Sequence, residues 1–427
     1  MFEDVEDEEA EAHIASVMEK YRQYLNPGLA RLLQFAGFAD IEVTAEGCVL
    51  TTASGKQYLD FVGGFGVFTL GHRHPKVIAA AHQQLDLMPL SSRTFFNEAA
   101  VLLAEKLAKI APGNLQFTFF SNSGAEAVEA ALKFARIASG KTDFVSTLGS
   151  YHGKTLGALS VTGREKYRTA FEPLIPGVAF VPYNDLTAAA NAITEKTAAL
   201  IVEPIQGEGG IIPAAPGYLS GLRRICDERG VLLIADEIQT GLGRTGTMFA
   251  CEQENVAPDL LTLAKALGGG VVPIGATMGT PAIWDKVFGA NPLIHTSTFG
   301  GNSLACASGL AALDAIESEN MMQAALERGE QLIHGLRGVQ AEMPDALCDV
   351  RGRGLMIGVE FAVKDLAELT INFMAGQGVI AAYTLNNPKV IRFEPPLVVT
   401  AAQVETAVTV FRDSVAAAVS ALDGIEA

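Results

Sequence analysis

Between residues 75 and 317, short apolar runs of strand length alternate with segments that have the periodicity of helices. This alternation is typical of α/β folds, in which largely parallel strands form one sheet with helices on both faces. We predict strands at residues 117–120, 143–147, 179–182, 199–202, 231–235, 260–264 and 274–278. The expected fold class is therefore α/β, with a large domain built on a mostly parallel sheet.

The two ends of the chain have a different pattern. Residues before about 71 suggest a helix that ends before Asn26, strand-like runs and a glycine-rich segment at 63–66. Residues after 318 suggest a long helix at 321–342, strands at 355–361, 379–383 and 390–393, and a last helix from Ala401. A chain of 427 residues exceeds the size at which single cores stop growing. We expect a large domain at 75–317 and a smaller α+β domain built from both chain ends, 1–74 and 318–427.

Charge and composition exclude several classes of function. The net charge of -17 repels nucleic-acid phosphates and anionic lipids, so we expect no nucleic acid and no membrane as partners. The acidic run at 3–11 does not resemble a signal peptide, and we interpret it as a solvated arm or frayed helix start. The five cysteines are widely spaced and form no CxxC pair, which predicts free thiols in a reducing cytoplasm and no metal site.

Polar residues directly follow three of the predicted strands. In an open parallel sheet, ligands bind at the carboxyl ends of the strands. The first group, Ser121-Asn122-Ser123-Gly124-Ala125-Glu126, precedes a helical segment. Small residues at such a turn allow backbone N–H groups to approach a phosphate at the helix N-terminus. The alternative is an ordinary helix cap.

Asp236 follows the apolar run 231–235. A carboxylate at the end of a buried strand is costly unless it is paired, and a protonated pyridine nitrogen is one suitable partner. The alternative is a helix-capping or salt-bridged aspartate.

Lys265 follows the run 260–264 and precedes three glycines. Burial lowers the pKa of such a lysine, which makes it a candidate Schiff-base nucleophile, and the glycines leave space for a bulky adduct. A solvated lysine at the strand end is the alternative. The three features together favour one site over three coincidences.

At these residues the sequence resembles the class III (omega) aminotransferases, which are fold-type I enzymes dependent on pyridoxal phosphate. The resemblance runs from about residue 26 to 400. It rests on the motifs GHRHP (71–75), SNSGAEAVEAALK (121–133), YHG (151–153), EPIQGEGG (203–210), ADEIQTGLGRTG (235–246), LAKALGGG (263–270) and TFGGN (298–302).

The resemblance implies roles for individual residues. Lys265 would hold the cofactor as a Schiff base and move the substrate proton, and Asp236 would pair with the pyridine nitrogen. The other cofactor-binding residues implied are Ser123, Gly124, Ala125, Tyr151, His152, Glu203, Gln239 and Thr298. Ala125 departs from the threonine that the family often has, which would remove one phosphate contact. Thr298 would reach the phosphate of a neighbouring subunit, which implies a homodimer with shared active sites. A dimer of dimers is the alternative assembly.

Within the class, the segments around 63–75, 251–259 and 384–397 most resemble putrescine aminotransferases, and then ornithine aminotransferases. This likeness implies transfer of a terminal amino group, as in a diamine, to 2-oxoglutarate. Ornithine, omega-amino acids or long-chain amines as donors, and pyruvate as acceptor, remain alternatives. Other reactions on the same cofactor, a non-catalytic protein and an NAD-binding enzyme are rivals. Against the NAD-binding enzyme, the glycine-rich segment 207–210 reads GEGG and does not form a G-x-G-x-x-G motif.

Arg392 lies inside an apolar run, where an unpaired charge is expensive, so we expect a carboxylate partner. By the same resemblance, Arg392 clamps the carboxylate of 2-oxoglutarate and Glu208 covers it when the amine donor is bound. The alternative is a permanent salt bridge. Gly64 and Phe65 are further substrate-binding candidates.

Overall fold

The computed structural model describes residues 7–426, and its centre is a seven-stranded sheet. The strand order is β4-β12-β11-β10-β7-β5-β6. Neighbouring strands run parallel except at β12, which is antiparallel to both β11 and β4. The strands are β4 Phe117–Ser121, β5 Asp143–Thr147, β6 Val178–Val181, β7 Thr197–Val202, β10 Leu232–Asp236, β11 Leu260–Leu263 and β12 Gly275–Gly279. The prediction of a mostly parallel sheet is confirmed.

Helices cover the sheet and begin and end at expected signals. The helix Gly124–Ser139 begins after the N-cap Ser123 and ends at Gly140 in the left-handed conformation, and its apolar side is buried. The remaining helices are Asp7–Tyr24, Pro27–Phe35, Pro75–Leu87, Glu98–Ile110, Leu156–Val161, Glu165–Arg168, Leu186–Ala192, Tyr218–Arg229, Pro281–Phe288, Ser303–Ser318, Met321–Glu342, Lys364–Gly376 and Ala401–Glu426. None of the helices within 7–426 is long and apolar enough to cross a membrane.

Two smaller sheets are built from the chain ends. One has the order β1-β2-β3-β15, and the C-terminal strand β15 pairs in parallel with the N-terminal strand β3. The other has the order β13-β14-β17-β16, and a short ribbon pairs β8 with β9. Their strands are β1 Glu42–Glu46, β2 Val49–Thr52, β3 Gln57–Asp60, β8 Ile205–Gln206, β9 Ile212–Pro213, β13 Leu347–Arg353, β14 Met356–Phe361, β15 Val379–Ile380, β16 Ala382–Tyr383 and β17 Val390–Phe393.

The small-domain predictions need two corrections. The run 379–383 is two strands, because β15 joins the N-terminal sheet while β16 pairs with β17. The strand β13 was not predicted, since its polar sequence LCDVRGR has no continuous apolar run and its pairing with β14 decides its conformation. The acidic run at 3–11 lies partly outside the described residues, and from Asp7 the chain is helical. The boundaries at 75 and 318 remain a prediction.

Candidate active site

The polar residues at the ends of three strands meet in one cavity of about 460 Å³. Lys265 follows β11, Asp236 ends β10, and Ser123 lies between β4 and the helix that follows it. The cavity is lined by all nine residues implied for this chain's own cofactor site, namely Ser123, Gly124, Ala125, Tyr151, His152, Glu203, Asp236, Gln239 and Lys265. The carboxyl ends of β10 and β11 lie side by side because these strands are parallel neighbours.

Lys265 sits on a strained turn at the edge of this cavity. Its backbone has a positive φ of 39°, which is uncommon outside glycine and costs conformational energy. Burial lowers the pKa of Lys265, while the carboxylates of Glu394 and Glu208 act in the opposite direction. The side chain packs close to the glycine-rich turn, because a Cβ placed on Gly66 would lie 3.7 Å from Cδ of Lys265.

Asp236 is held by three groups at the base of the cavity. Its Oδ2 lies 2.6 Å from Nδ1 of His152, and its Oδ1 accepts from the Thr262 hydroxyl at 3.1 Å. The backbone N–H of Ile238 donates to the same Oδ1 at 3.2 Å. Burial acts to lower the pKa of His152, but the carboxylates of Asp236 and Glu203 raise it overall. The Nε2 atom of His152 is buried without a partner among residues 7–426.

Glu203 supports the wall of the cavity from behind Tyr151. One carboxylate oxygen accepts from the N–H of Tyr151 at 2.9 Å, and the other accepts from Gly207 at 3.1 Å. Burial and the nearby Asp236 raise the pKa of Glu203 to about 7, against the influence of His152. The carboxylate therefore fixes the backbone at Tyr151 and adds negative charge at neutral pH and above.

The opposite end of the cavity is the N-terminus of the helix Gly124–Ser139. The hydroxyl of Ser123 accepts from the N–H of Glu126 at 3.2 Å, so Ser123 is the N-cap. The first N–H groups of a helix have no carbonyl acceptor inside the helix, and they favour an anion. A Cβ on Gly124 would lie only 2.9 Å from Ile238, so the tight packing beneath this end explains the glycine.

Arg392 lies outside the residues that line the cavity and is fully buried. Its Nη2 donates to Oε2 of Glu208, so the predicted carboxylate partner is confirmed. A second carboxylate was not predicted: Oε2 of Glu394 lies 3.7 Å from Nη1 of Arg392. Although burial opposes ionisation, Arg392 and the N–H of Leu385 lower the pKa of Glu208.

Glu394 is connected to the cofactor cavity through Gln239, which lines the cavity. Both of its carboxylate oxygens accept from Nε2 of Gln239, at 2.8 and 2.9 Å. Sequence reasoning missed Glu394 because its role depends on contacts with Gln239 and Arg392 that the fold creates. The available signal was the spacing, since residues two apart in extended chain lie on the same side.

Gly64 and Phe65 form a tight turn in which both residues have positive φ, 59° and 60°. The carboxylate of Asp60 holds the start of this turn by accepting from the N–H groups of Val62 and Gly63. The Phe65 ring lies over the guanidinium of Arg392, with 5.2 Å between the guanidinium carbon and the ring centroid. The turn therefore contacts Arg392, but neither Gly64 nor Phe65 lines the cavity beside Lys265.

Thr298 is exposed and lies elsewhere, in a second cavity of about 450 Å³. This cavity is also lined by Arg93, Phe95 and Phe299. The structure therefore does not place Thr298 in the cofactor cavity of its own chain.

Comparison with known proteins identifies the family. The family model described as aminotransferase class-III matches residues 38–415. The chain belongs to the class III aminotransferases. Similar solved structures include an ornithine aminotransferase from Toxoplasma gondii, with 33% identity over 97% of this chain and 96% of that one, and a TM-score of 0.86. A transaminase from the marine bacterium Virgibacillus is 29% identical over 95% and 100%, with a TM-score of 0.89. An acetylornithine aminotransferase from Elizabethkingia anophelis is 31% identical over 88% and 94%, with a TM-score of 0.77.

This class III aminotransferase is an enzyme that depends on pyridoxal phosphate, and its cavity fits that cofactor. It offers a primary amine at Lys265, a buried carboxylate at Asp236 for a protonated ring nitrogen, and a helix N-terminus for a phosphate. The unpartnered Nε2 of His152 further indicates that the polar base of the cavity is built to face a bound group.

Proposed function

We propose that this aminotransferase transfers the terminal amino group of a diamine of the putrescine type to 2-oxoglutarate, giving an aldehyde and glutamate. The supporting observation is the charge near Lys265. Glu208 and Glu394 both form ion pairs with Arg392, so two carboxylates share one guanidinium close to Lys265. A donor with a second ammonium group suits this negative surplus better than a donor whose far end is a carboxylate.

The roles proposed for the site follow from the geometry. Pyridoxal phosphate supplies the electron sink that stabilises negative charge on the substrate carbon. Lys265 would hold the cofactor through its amine and would move the proton at the substrate carbon, since burial lowers its pKa and so favours the neutral amine. Asp236, oriented by His152, keeps the ring nitrogen protonated.

The remaining residues position the cofactor. The backbone at Gly124 and Ala125 binds the phosphate, with Ser123 fixing the helix start. Tyr151, whose backbone N–H donates to Glu203, would stack on the ring, and Gln239, which also lines the cavity, would approach the ring hydroxyl.

We propose that Arg392 binds the acceptor. In the structure Glu208 occupies the guanidinium, which is the state suited to an amine donor. Departure of Glu208 would free Arg392 for a carboxylate of 2-oxoglutarate in a bidentate pair. Phe65, above the guanidinium, limits the direction from which that carboxylate approaches.

The proposed unit is a homodimer with shared active sites. Leu90, Phe95 and Phe299 are exposed and line the cavity that contains Thr298. Exposed apolar side chains of this size that lie together mark an interaction surface. Phe95 lines the same cavity as Thr298, so covering this surface with a second copy would bring Thr298 to the partner's site. A dimer of dimers is the further assembly that we propose to test, and a reducing cytoplasm suits the five free cysteines, four of which are buried.

The donor is tested by initial rates with putrescine, cadaverine, ornithine, 4-aminobutyrate and a long-chain amine, each with 2-oxoglutarate and with pyruvate. The proposal expects the two diamines with 2-oxoglutarate to give the highest kcat/KM and glutamate as product. Ornithine is the second candidate, since ornithine aminotransferases are among the similar structures. Higher kcat/KM for ornithine or 4-aminobutyrate than for both diamines would refute the diamine proposal.

A further inference from the structure

We propose that Glu394 is a specificity-determining residue that weakens the hold of Arg392 on substrate carboxylates and thereby favours cationic donors at this site. The inference rests on the proposed role of Arg392 in binding the acceptor. Glu394 does not face the cavity beside Lys265, and it acts through the two residues that it contacts, Arg392 and Gln239.

The surroundings of Arg392 leave donors available for a ligand. Its Nη2 donates to Glu208, but Nε and Nη1 are buried without a hydrogen-bond partner in the part of the chain described, 7–426. Glu394 is near enough to Nη1 to neutralise charge, at 3.7 Å, yet too distant to use the donor. Two carboxylates therefore surround the guanidinium, while its Nε and Nη1 donors are unused.

The two carboxylates differ in their freedom to leave. Glu394 is 0% exposed and its oxygens are both bound by Gln239. Its backbone N–H donates to the carbonyl of Phe61 at 2.8 Å, and a Cβ on Gly63 would lie 2.3 Å from its carbonyl oxygen. Glu208 instead lies in the chain between β8 and β9 and retains slight exposure. Glu208 is therefore the carboxylate that can be exchanged, and Glu394 the one that stays.

A substrate carboxylate that replaces Glu208 consequently meets a cation that already has a fixed negative neighbour. Like charges that share one guanidinium repel each other, so the carboxylate binds less tightly than it would to Arg392 alone. The same fixed charge favours a cationic amine near Lys265. One residue thus shifts the balance between a dicarboxylate acceptor and a diamine donor.

The test uses glutarate, a dicarboxylate without a reactive amino or oxo group, bound to the cofactor-loaded enzyme and measured by titration calorimetry. Glu394→Gln keeps the side-chain shape and removes the charge. We expect glutarate to bind at least about tenfold more tightly to this variant than to wild type. Glu394→Asp, which retains the charge, is the matched control and should stay close to wild type. The diamine half-reaction of Glu394→Gln should slow by a similar factor.

The direction of the change in glutarate affinity distinguishes an effect of the Glu394 charge from a purely structural role, because damage to the site does not tighten binding. Thermal unfolding shows which variants fold, and Glu394→Met replaces Glu394→Gln if the latter does not. Glutarate binding that is unchanged or weaker in the folded, uncharged variant overturns the proposal. Arg392→Ala tests the assumption beneath it: if glutarate still binds to Arg392→Ala as to wild type, the proposed acceptor site is wrong.

Discussion

Nδ1 of His152 lies 2.6 Å from Oδ2 of Asp236, and both side chains are almost completely buried. Burial opposes a charge on His152, but the contact with Asp236 raises the pKa of the imidazole overall. Thr262 binds the other oxygen of Asp236, which fixes the carboxylate plane. This arrangement gives Asp236 a fixed orientation toward the cavity before any cofactor binds.

Replacement of Asp236 should therefore remove most activity while the cofactor still binds in the cavity. Asp236→Asn keeps the shape but loses the counter-charge for the ring nitrogen. We expect kcat to fall by at least about 100-fold at saturating cofactor. Steady-state rates measure the loss, and His295→Asn, remote from the cavity lining, is the control expected to keep wild-type rates. Near-normal kcat in Asp236→Asn would refute the role.

The lowered pKa of Lys265 predicts a distinctive pH profile in the enzyme stripped of cofactor. The rate of acetylation by acetic anhydride should rise with pH around a midpoint below the ordinary lysine value of 10.5, because the neutral amine is the reactive form. Mass spectrometry of peptides follows the label. Exposed lysines in the same digest are the internal control, and an identical profile for Lys265 would contradict the burial argument.

Lys265 is also the residue to which we expect the cofactor to be attached. Borohydride treatment of the loaded enzyme should fix the cofactor on Lys265, and Lys265→Ala should lose transamination by several orders of magnitude, since one amine serves both attachment and proton transfer. Peptide mapping locates the label. A label on any other lysine would disprove the assignment.

Arg392 should affect one half of the reaction only. In Arg392→Ala we expect the half-reaction with 2-oxoglutarate to lose about 2 kcal/mol or more, the scale for removing one partner of a buried charge pair, while the diamine half-reaction is spared. Stopped-flow absorbance separates the halves. Equal losses in both would mean that the Arg392–Glu208 contact is a permanent structural salt bridge.

Shared active sites can be tested by mixing two inactive variants. Thr298→Asp should repel the partner's phosphate, and Lys265→Ala lacks the reactive amine. A dimer of one subunit of each kind has one intact site only if Thr298 serves the opposite subunit. We therefore expect activity to return on co-expression, toward one site per mixed dimer. No recovery in confirmed mixed dimers would place Thr298 outside the partner's site.

The sequence was most informative where a polar or charged residue comes at the end of a predicted strand. Asp236 and Lys265 were predicted because parallel neighbours end at the same edge of the sheet, and β10 and β11 are such neighbours. Glu394 was missed because its importance depends on contacts with Gln239 and Arg392, which lie 155 residues away and two residues away. The strand β13 was missed for a related reason, since its conformation depends on pairing rather than on its own apolar pattern.

The antiparallel strand β12 shows the same limit. Its sequence was recognised as a strand, but the direction in which it pairs with β4 and β11 is set by the path of the chain after Lys265. The left-handed backbone conformation of Phe65 was also not predicted, because glycine is the residue whose presence in a sequence indicates such a conformation.

The proposed movement of a terminal amino group from a diamine to 2-oxoglutarate can be followed with an isotope. Putrescine labelled with ¹⁵N at both ends is mixed with unlabelled 2-oxoglutarate and the loaded enzyme, and the products are measured by mass spectrometry. We predict ¹⁵N-glutamate formed in equal amount to the amino aldehyde, and none with Lys265→Ala. Consumption of putrescine that releases ¹⁵N-ammonia or carbon dioxide without labelled glutamate, or no consumption at all, would contradict it.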